Sequence, residues 1–174
     1  MKSCKPKKIE ILYLIGLLST ISFCGLANAE PLNAGDYSAL NWANSQRFAC
    51  SASIPSEAFE GGYSKQYIQF AIQAHDDMTA TGIQRDTINV RGSNYKKDTQ
   101  LSGNVFKNSS SLGFWVESHS LVEYDPLPDG MTWGDELQMQ IWINDNGGGN
   151  YSIQGQLVRP SSSRINFDYC IVDN

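Results

Sequence analysis

From Trp133 to Ile143 the chain holds a two-residue alternation longer than any other it contains. Trp133, Asp135, Leu137, Met139, Ile141 and Ile143 share one parity, while Gly134, Glu136, Gln138, Gln140 and Trp142 share the other. Such a run predicts a half-buried strand, because successive side chains of a pleated strand leave on opposite faces. After the glycine-rich stretch 144–150 the pattern resumes. Tyr151, Ile153, Gly155 and Leu157 alternate with Ser152, Gln154, Gln156 and Val158, the returning arm of a hairpin.

A two-residue turn on Asn146-Gly147 would set Ile143 against Asn150 and Ile141 against Ser152, mixing apolar and polar side chains on both faces. An odd loop, Asn146-Gly147-Gly148 closed by Asp145 and Gly149, keeps the faces apart. It predicts Ile141 opposite Ile153 and Met139 opposite Gly155. The outer face then carries Gln140 beside Gln154, Gln138 beside Gln156, and Trp142 beside Ser152.

Residues 30–56 are expected to be irregular apart from one short helix capped by Asp36, with Tyr37, Leu40, Asn44 and Phe48 along one side. The stretch from Tyr67 to His75 fits either helix or strand spacing, and flanking Gly61-Gly62 and Asp76-Asp77 favour strand. Further strands are expected at Thr87–Arg91, Thr99–Lys107, Leu112–Tyr124 and Arg164–Val172. In the last of these Ile165, Phe167, Tyr169 and Ile171 are expected to point inward. Turn residues punctuate the chain at 76–82, 92–94, 108–111, 126–130 and 160–163. The fold class expected is all-β, an antiparallel β-sandwich or small β-barrel of about eight strands with one short N-terminal helix.

At its start, Lys2, Lys5, Lys7 and Lys8 precede an apolar run from Ile9 to Leu26 that ends in Ala27-Asn28-Ala29. This order predicts a secretory signal over residues 1–29 followed by a single β-rich domain over 30–174, exported to a periplasm or to the outside of the cell without stable membrane insertion after cleavage. Setting aside the four lysines and one glutamate of 1–29, the thirteen basic and eighteen acidic side chains become nine and seventeen. So acidic a chain argues against nucleic acid, whose phosphates need a basic face. Loss of Cys4 and Cys24 with the signal leaves Cys50 and Cys170, expected to form one disulfide in an oxidising compartment.

Catalytic signals are sparse. Only His75 and His119 are present. Ser118-His119-Ser120 is discounted as a nucleophile and base, since neighbours in a strand face opposite ways. His75-Asp76-Asp77 and Asp145-Asn146-Gly147 lack the fuller ligand sets of metal sites, and no cofactor is expected. The informative feature is the outer hairpin face, Gln138, Gln140, Trp142, Gln154 and Gln156. Uncharged amides around an indole suit a neutral polyhydroxylated ligand, whose C–H face stacks on the ring while its hydroxyls bond the amides. The expectation is an exported, non-enzymatic protein that binds a neutral glycan or envelope component. The alternative is an acidic inhibitor that meets a basic secreted protein through Glu123, Asp125, Asp129, Asp135 and Glu136. A small hydrolase or a membrane-lytic toxin ranks behind both.

Overall fold

Asn33 starts the helix α1 (Ala34–Asn44), its side chain accepting the Asp36 backbone N–H at 3.0 Å while the Asp36 carboxylate accepts the Asn33 N–H at 2.9 Å. This reciprocal pair satisfies two donors that a helix start leaves open. The cap is therefore three residues earlier than the sequence reading placed it. Asp36, Ala39, Leu40 and Ala43 form the buried side, Tyr37 is 53% exposed, and Phe48 belongs to the next element. Trp42 packs near the helix end, with ring centroids 5.6 Å from Phe48 and 5.4 Å from Tyr151.

This computed structural model describes residues 30–55, 63–109, 111–128, 130–133, 137–158 and 164–173. Among them lie α1 and nine strands, β1 (Phe48–Pro55), β2 (Tyr63–Ala74), β3 (Thr79–Val90), β4 (Ser93–Asn108), β5 (Ser111–Tyr124), β6 (Gln138–Asp145), β7 (Tyr151–Val158), β8 (Arg164–Asn166) and β9 (Tyr169–Val172). They form one antiparallel sheet in the order β8-β7-β6-β5-β4-β3-β2-β1-β9. Each strand from β1 to β8 pairs with its sequence neighbour, a meander that needs only hairpin connections. The ladder is not closed, but its two edges are consecutive pieces of chain. Phe167 donates its N–H to Gly155 on β7 at 2.9 Å, and Asp168 donates to Ser51 on β1 at 2.7 Å.

One face of this sheet supplies a single apolar cluster that includes Phe48, Ile68, Leu101, Phe114, Met139 and Leu157, with Leu40 of α1 packed into it. Strands from both halves of the sheet meet in that cluster, so the sheet must curl on itself. Close backbone approach accompanies the curl: a Cβ on Gly103 would collide with the Trp115 carbonyl on β5.

Within the same interior a polar group is enclosed. Asp86, with no exposed surface, accepts from Gln66 Nε2 at 3.0 Å and from Gln84 Nε2 at 2.8 and 2.9 Å, with Lys97 Nζ at 4.0 Å. The Lys97 ammonium stands 5.7 Å from the centre of the Trp133 ring.

The disulfide joins Cys50 to Cys170, paired opposite each other on β1 and β9 with Cα atoms 4.1 Å apart. Several local expectations need correction. Residues 48–55 form β1 rather than irregular chain, β3 begins at Thr79 rather than Thr87, and β6 begins at Gln138 rather than Trp133. Residues 134–136 and 160–163 lie outside those described. The expected last strand is broken at Phe167 and Asp168, and its parity changes there. Tyr169 and Ile171 are 49% and 57% exposed, because the half-buried Cys170 must face inward to meet Cys50.

Asp36 also binds Lys107 Nζ at 2.7 Å, which pins the helix start to β4. Burial pushes its carboxyl up, but the Asn33 backbone N–H and Lys107 together outweigh burial and hold it below the usual range. Its contribution to stability is thus complete above the unfolded pKa and is lost as pH falls through the lower folded one. Asp36→Asn should be less stable than the parent near neutrality. The gap, read from urea midpoints, should close as the solution is acidified below about pH 4, the unfolded aspartate range.

Candidate ligand-binding face

On the β6–β7 hairpin Met139, Ile141, Ile143, Ile153 and Leu157 are buried in the core, which leaves Gln138, Gln140, Trp142, Gln154 and Gln156 on the outer parity. The faces are as expected, but the register is not. Ile143 pairs with Ile153, Ile141 with Gly155 and Met139 with Leu157, so Gln140 lies opposite Gln156, Trp142 opposite Gln154 and Gln138 opposite Val158. The turn accounts for this shift of two residues. Gly147, Gly148 and Gly149 all take positive φ, at 85°, 64° and 78°, and Asn146 donates its N–H to the Asn150 carbonyl at 2.9 Å. The three glycines are themselves the loop, one position beyond the triplet expected.

Register with the flanking strands enlarges the face. Asn104, Trp115, Gln140, Gln156 and Asn166 form one lateral row across β4 to β8, and Phe106, Gly113, Trp142 and Gln154 form the next. Trp115 alternates with the buried Phe114 and Val116, so it is an outer-face residue. The Phe106 ring leans over Gly113, 3.0 Å from where a Cβ would stand. Trp115, Trp142 and Phe106 are each half-buried.

Gln156 is 6% exposed and its Nε2 donates to Gln140 Oε1 at 2.8 Å. This bond fixes how both amides point, leaving the Gln140 NH2 as donor and the Gln156 oxygen as acceptor. Gln138 donates to Glu117 Oε2 at 3.4 Å, and Gln154 is exposed. Glu117 and Arg164 bring charge only at the next row, Glu117-Gln138-Val158-Arg164. The assembled surface can stack flat C–H groups and exchange neutral hydrogen bonds.

The acidic set is less coherent. Asp129, Asp135 and Glu136 lie outside the described residues. Glu123 and Asp125 line a hollow of about 190 Å³ together with Arg85 and Lys96. There Asp125 Oδ2 accepts the Lys96 N–H at 2.9 Å, while Arg85 grips Asp98 through bonds of 2.7 and 2.6 Å. Acids interleaved with cations present a mixed surface.

Strand alternation does not keep His119 apart from Ser120. Register shifts near Thr99 bulge β5, and Ser120 takes φ 48°, which lets His119 Nδ1 and Ser120 Oγ meet at 3.0 Å. Among the described residues no carboxylate bonds the other ring nitrogen, so the pair lacks an orienting third group. His75 Nε2 meets Thr81 Oγ1 at 2.8 Å, and Asp77 Oδ1 takes both the N–H and the hydroxyl of Thr79. No helix among the described residues is long and apolar enough to cross a membrane. Family models, curated proteins and solved structures provide no match to this chain.

Proposed function

We propose that the protein is an exported, non-enzymatic binding protein that recognises a neutral glycan on the outer face of β4 to β8. The observation that carries this reading is the lateral row Trp115-Gln140-Gln156, with Trp142 and Gln154 in the row beside it. Half-buried indoles present an aromatic surface already partly fixed by packing, so little side-chain freedom is lost when a sugar ring stacks there. The Gln156 to Gln140 bond orients donor and acceptor in advance. Export is supported by the Cys50–Cys170 bridge, since disulfides persist in oxidising compartments.

Tryptophan fluorescence titrated with neutral oligosaccharides tests the reading. Trp142→Ala should raise Kd about tenfold, the equivalent of roughly 1.4 kcal/mol. Tyr37→Ala, on the exposed side of α1, should leave binding intact. Equal binding by the parent and Trp142→Ala would remove the basis of the proposal.

A further inference from the structure

The chain crosses the sheet's seam where β8 ends on β7 and β9 begins on β1. The bonds from Phe167 to Gly155 and from Asp168 to Ser51 hold these two strands on either side of one width of chain. The separation is roughly 10 Å, two interstrand spacings. The outer surface that bears Gln154 and Gln156 therefore continues across the seam onto β1.

Beyond the seam stands an uncharged row. Ser51 pairs with Tyr169 on one side and Tyr67 on the other. The two tyrosines are 49% and 43% exposed, and among the described residues they make no ring contact with each other. Ser51 has no exposed surface, and among the described residues its Oγ has no hydrogen-bond partner. A buried hydroxyl without a partner is uncommon and calls for an explanation. Beside it Ser53 Oγ donates to Asp168 Oδ2 at 2.8 Å, and a carboxylate has acceptor positions left after one such bond.

Resting on the reading of the Trp142 face as a neutral-glycan site, we propose that Tyr67, Ser51 and Tyr169 form a second subsite of the same surface. This clamp holds one further pyranose ring of an oligosaccharide whose other units lie on Trp142 and the glutamines. Across β1 the two tyrosine Cα atoms stand roughly 10 Å apart, again two strand spacings, enough for one ring between two aromatic planes. Both C–H faces of that ring are covered, and its hydroxyls reach Ser51 and Asp168. The Cys50–Cys170 bridge lies next to Ser51 and Tyr169 in sequence and fixes the spacing of β1 and β9, and the ring seats over Ser51 once the side chains that cover this buried hydroxyl turn outward. A pyranose offers hydroxyls around its whole rim to both hydrogen-bonding groups while its two faces stack, whereas a phenylalanine side chain would use the stacking alone.

Calorimetric titration with neutral hexose and N-acetylhexosamine series, from monosaccharide to hexasaccharide, tests the clamp on the full mature protein. The parent should bind longer chains more tightly. Tyr67→Ala and Tyr169→Ala should flatten that rise, with about a tenfold loss for the longest sugar and none for the shortest. Ser51→Ala should lower affinity for the longest sugar alone, while thermal melts show each variant folded. Trp142→Ala should weaken binding at every length. If both tyrosine variants bind the hexasaccharide as the parent does while Trp142→Ala does not, the clamp is wrong and the glutamine–tryptophan face stands. If only the tyrosine variants lose affinity, the clamp stands and the face reading falls. Absence of binding at any length overturns both. Preference for N-acetyltyrosinamide over every sugar, abolished by Tyr67→Ala, would replace the glycan occupant with a peptide.

Discussion

Replacing Asp86 with alanine should destabilise the protein by about 2–6 kcal/mol, at roughly 1–3 kcal/mol for each of the two buried amide donors left unsatisfied. The carboxylate sits in the curl of the sheet with no exposed surface, and three amide contacts from Gln66 and Gln84 converge on it. Alanine would strand the amide donors of Gln66 and Gln84. Urea unfolding should show the loss as a lower midpoint with an unchanged slope. Burial pushes the Asp86 carboxyl above its usual range, against the opposing pull of Lys97 and the two glutamines. This group therefore contributes its full stability below the unfolded pKa and loses it as pH rises through the folded one. Asp86→Asn keeps one acceptor and carries no buried charge, so it should cost less than alanine and improve relative to the parent as pH rises. An Asp86→Ala protein as stable as the parent would mean that the cluster is solvated and that its amide bonds carry no weight.

Which parts of this fold could be read in advance follows from what parity can and cannot report. Alternation at Met139, Ile141, Ile143, Ile153 and Leu157 identified the inward face, because a wrong face would put these side chains in water. It left the pairing open, since a slip of two residues keeps every side chain on its own face. That slip occurred, and the turn decided it: three consecutive left-handed glycines closed by Asn146 and Asn150 were chemically available, and only geometry could choose them over the neighbouring triplet. β1 was hidden for another reason. Its outward positions Ala49, Ser51 and Ser53 are small and weakly polar, so the alternation with Phe48, Cys50, Ala52 and Ile54 was muted. Tyr169 and Ile171 face outward where simple alternation puts them inward, and the sequence holds the reason. A bridge from Cys50 to Cys170 between paired strands puts both cysteines on one face and their neighbours on the other. For the candidate site, the shared face of the five hairpin residues was legible from the two alternating runs, 133–143 and 151–158. Trp115 and Asn166 join them only through the lateral register of β5 and β8.

Removing the disulfide by Cys50→Ala with Cys170→Ala should lower stability by about 4–5 kcal/mol on the chain-entropy account, because the two cysteines lie 120 residues apart in sequence. How the loss is distributed follows from β9 itself. The strand has four residues at the edge of the sheet, two of its side chains are mostly outside, and Val172 is only half-buried. Little apolar burial holds it, so the bridge and the short ladder to β1 provide most of its attachment. With the bridge gone, β9 should open from β1 at a lower free energy than the centre of the sheet, where β4 and β5 pair over most of their length. Hydrogen exchange should then show the amides of 169–172 losing protection first, with those of 101–107 retaining it until global unfolding. Tyr67 and Tyr169 would no longer be held at a fixed spacing, so oligosaccharide chain length should cease to matter to affinity in the same variant. If the 169–172 amides stay as protected as in the parent, packing rather than the covalent link secures the edge. The chain-length preference should then survive, and the disulfide would be left with its effect on the unfolded chain alone.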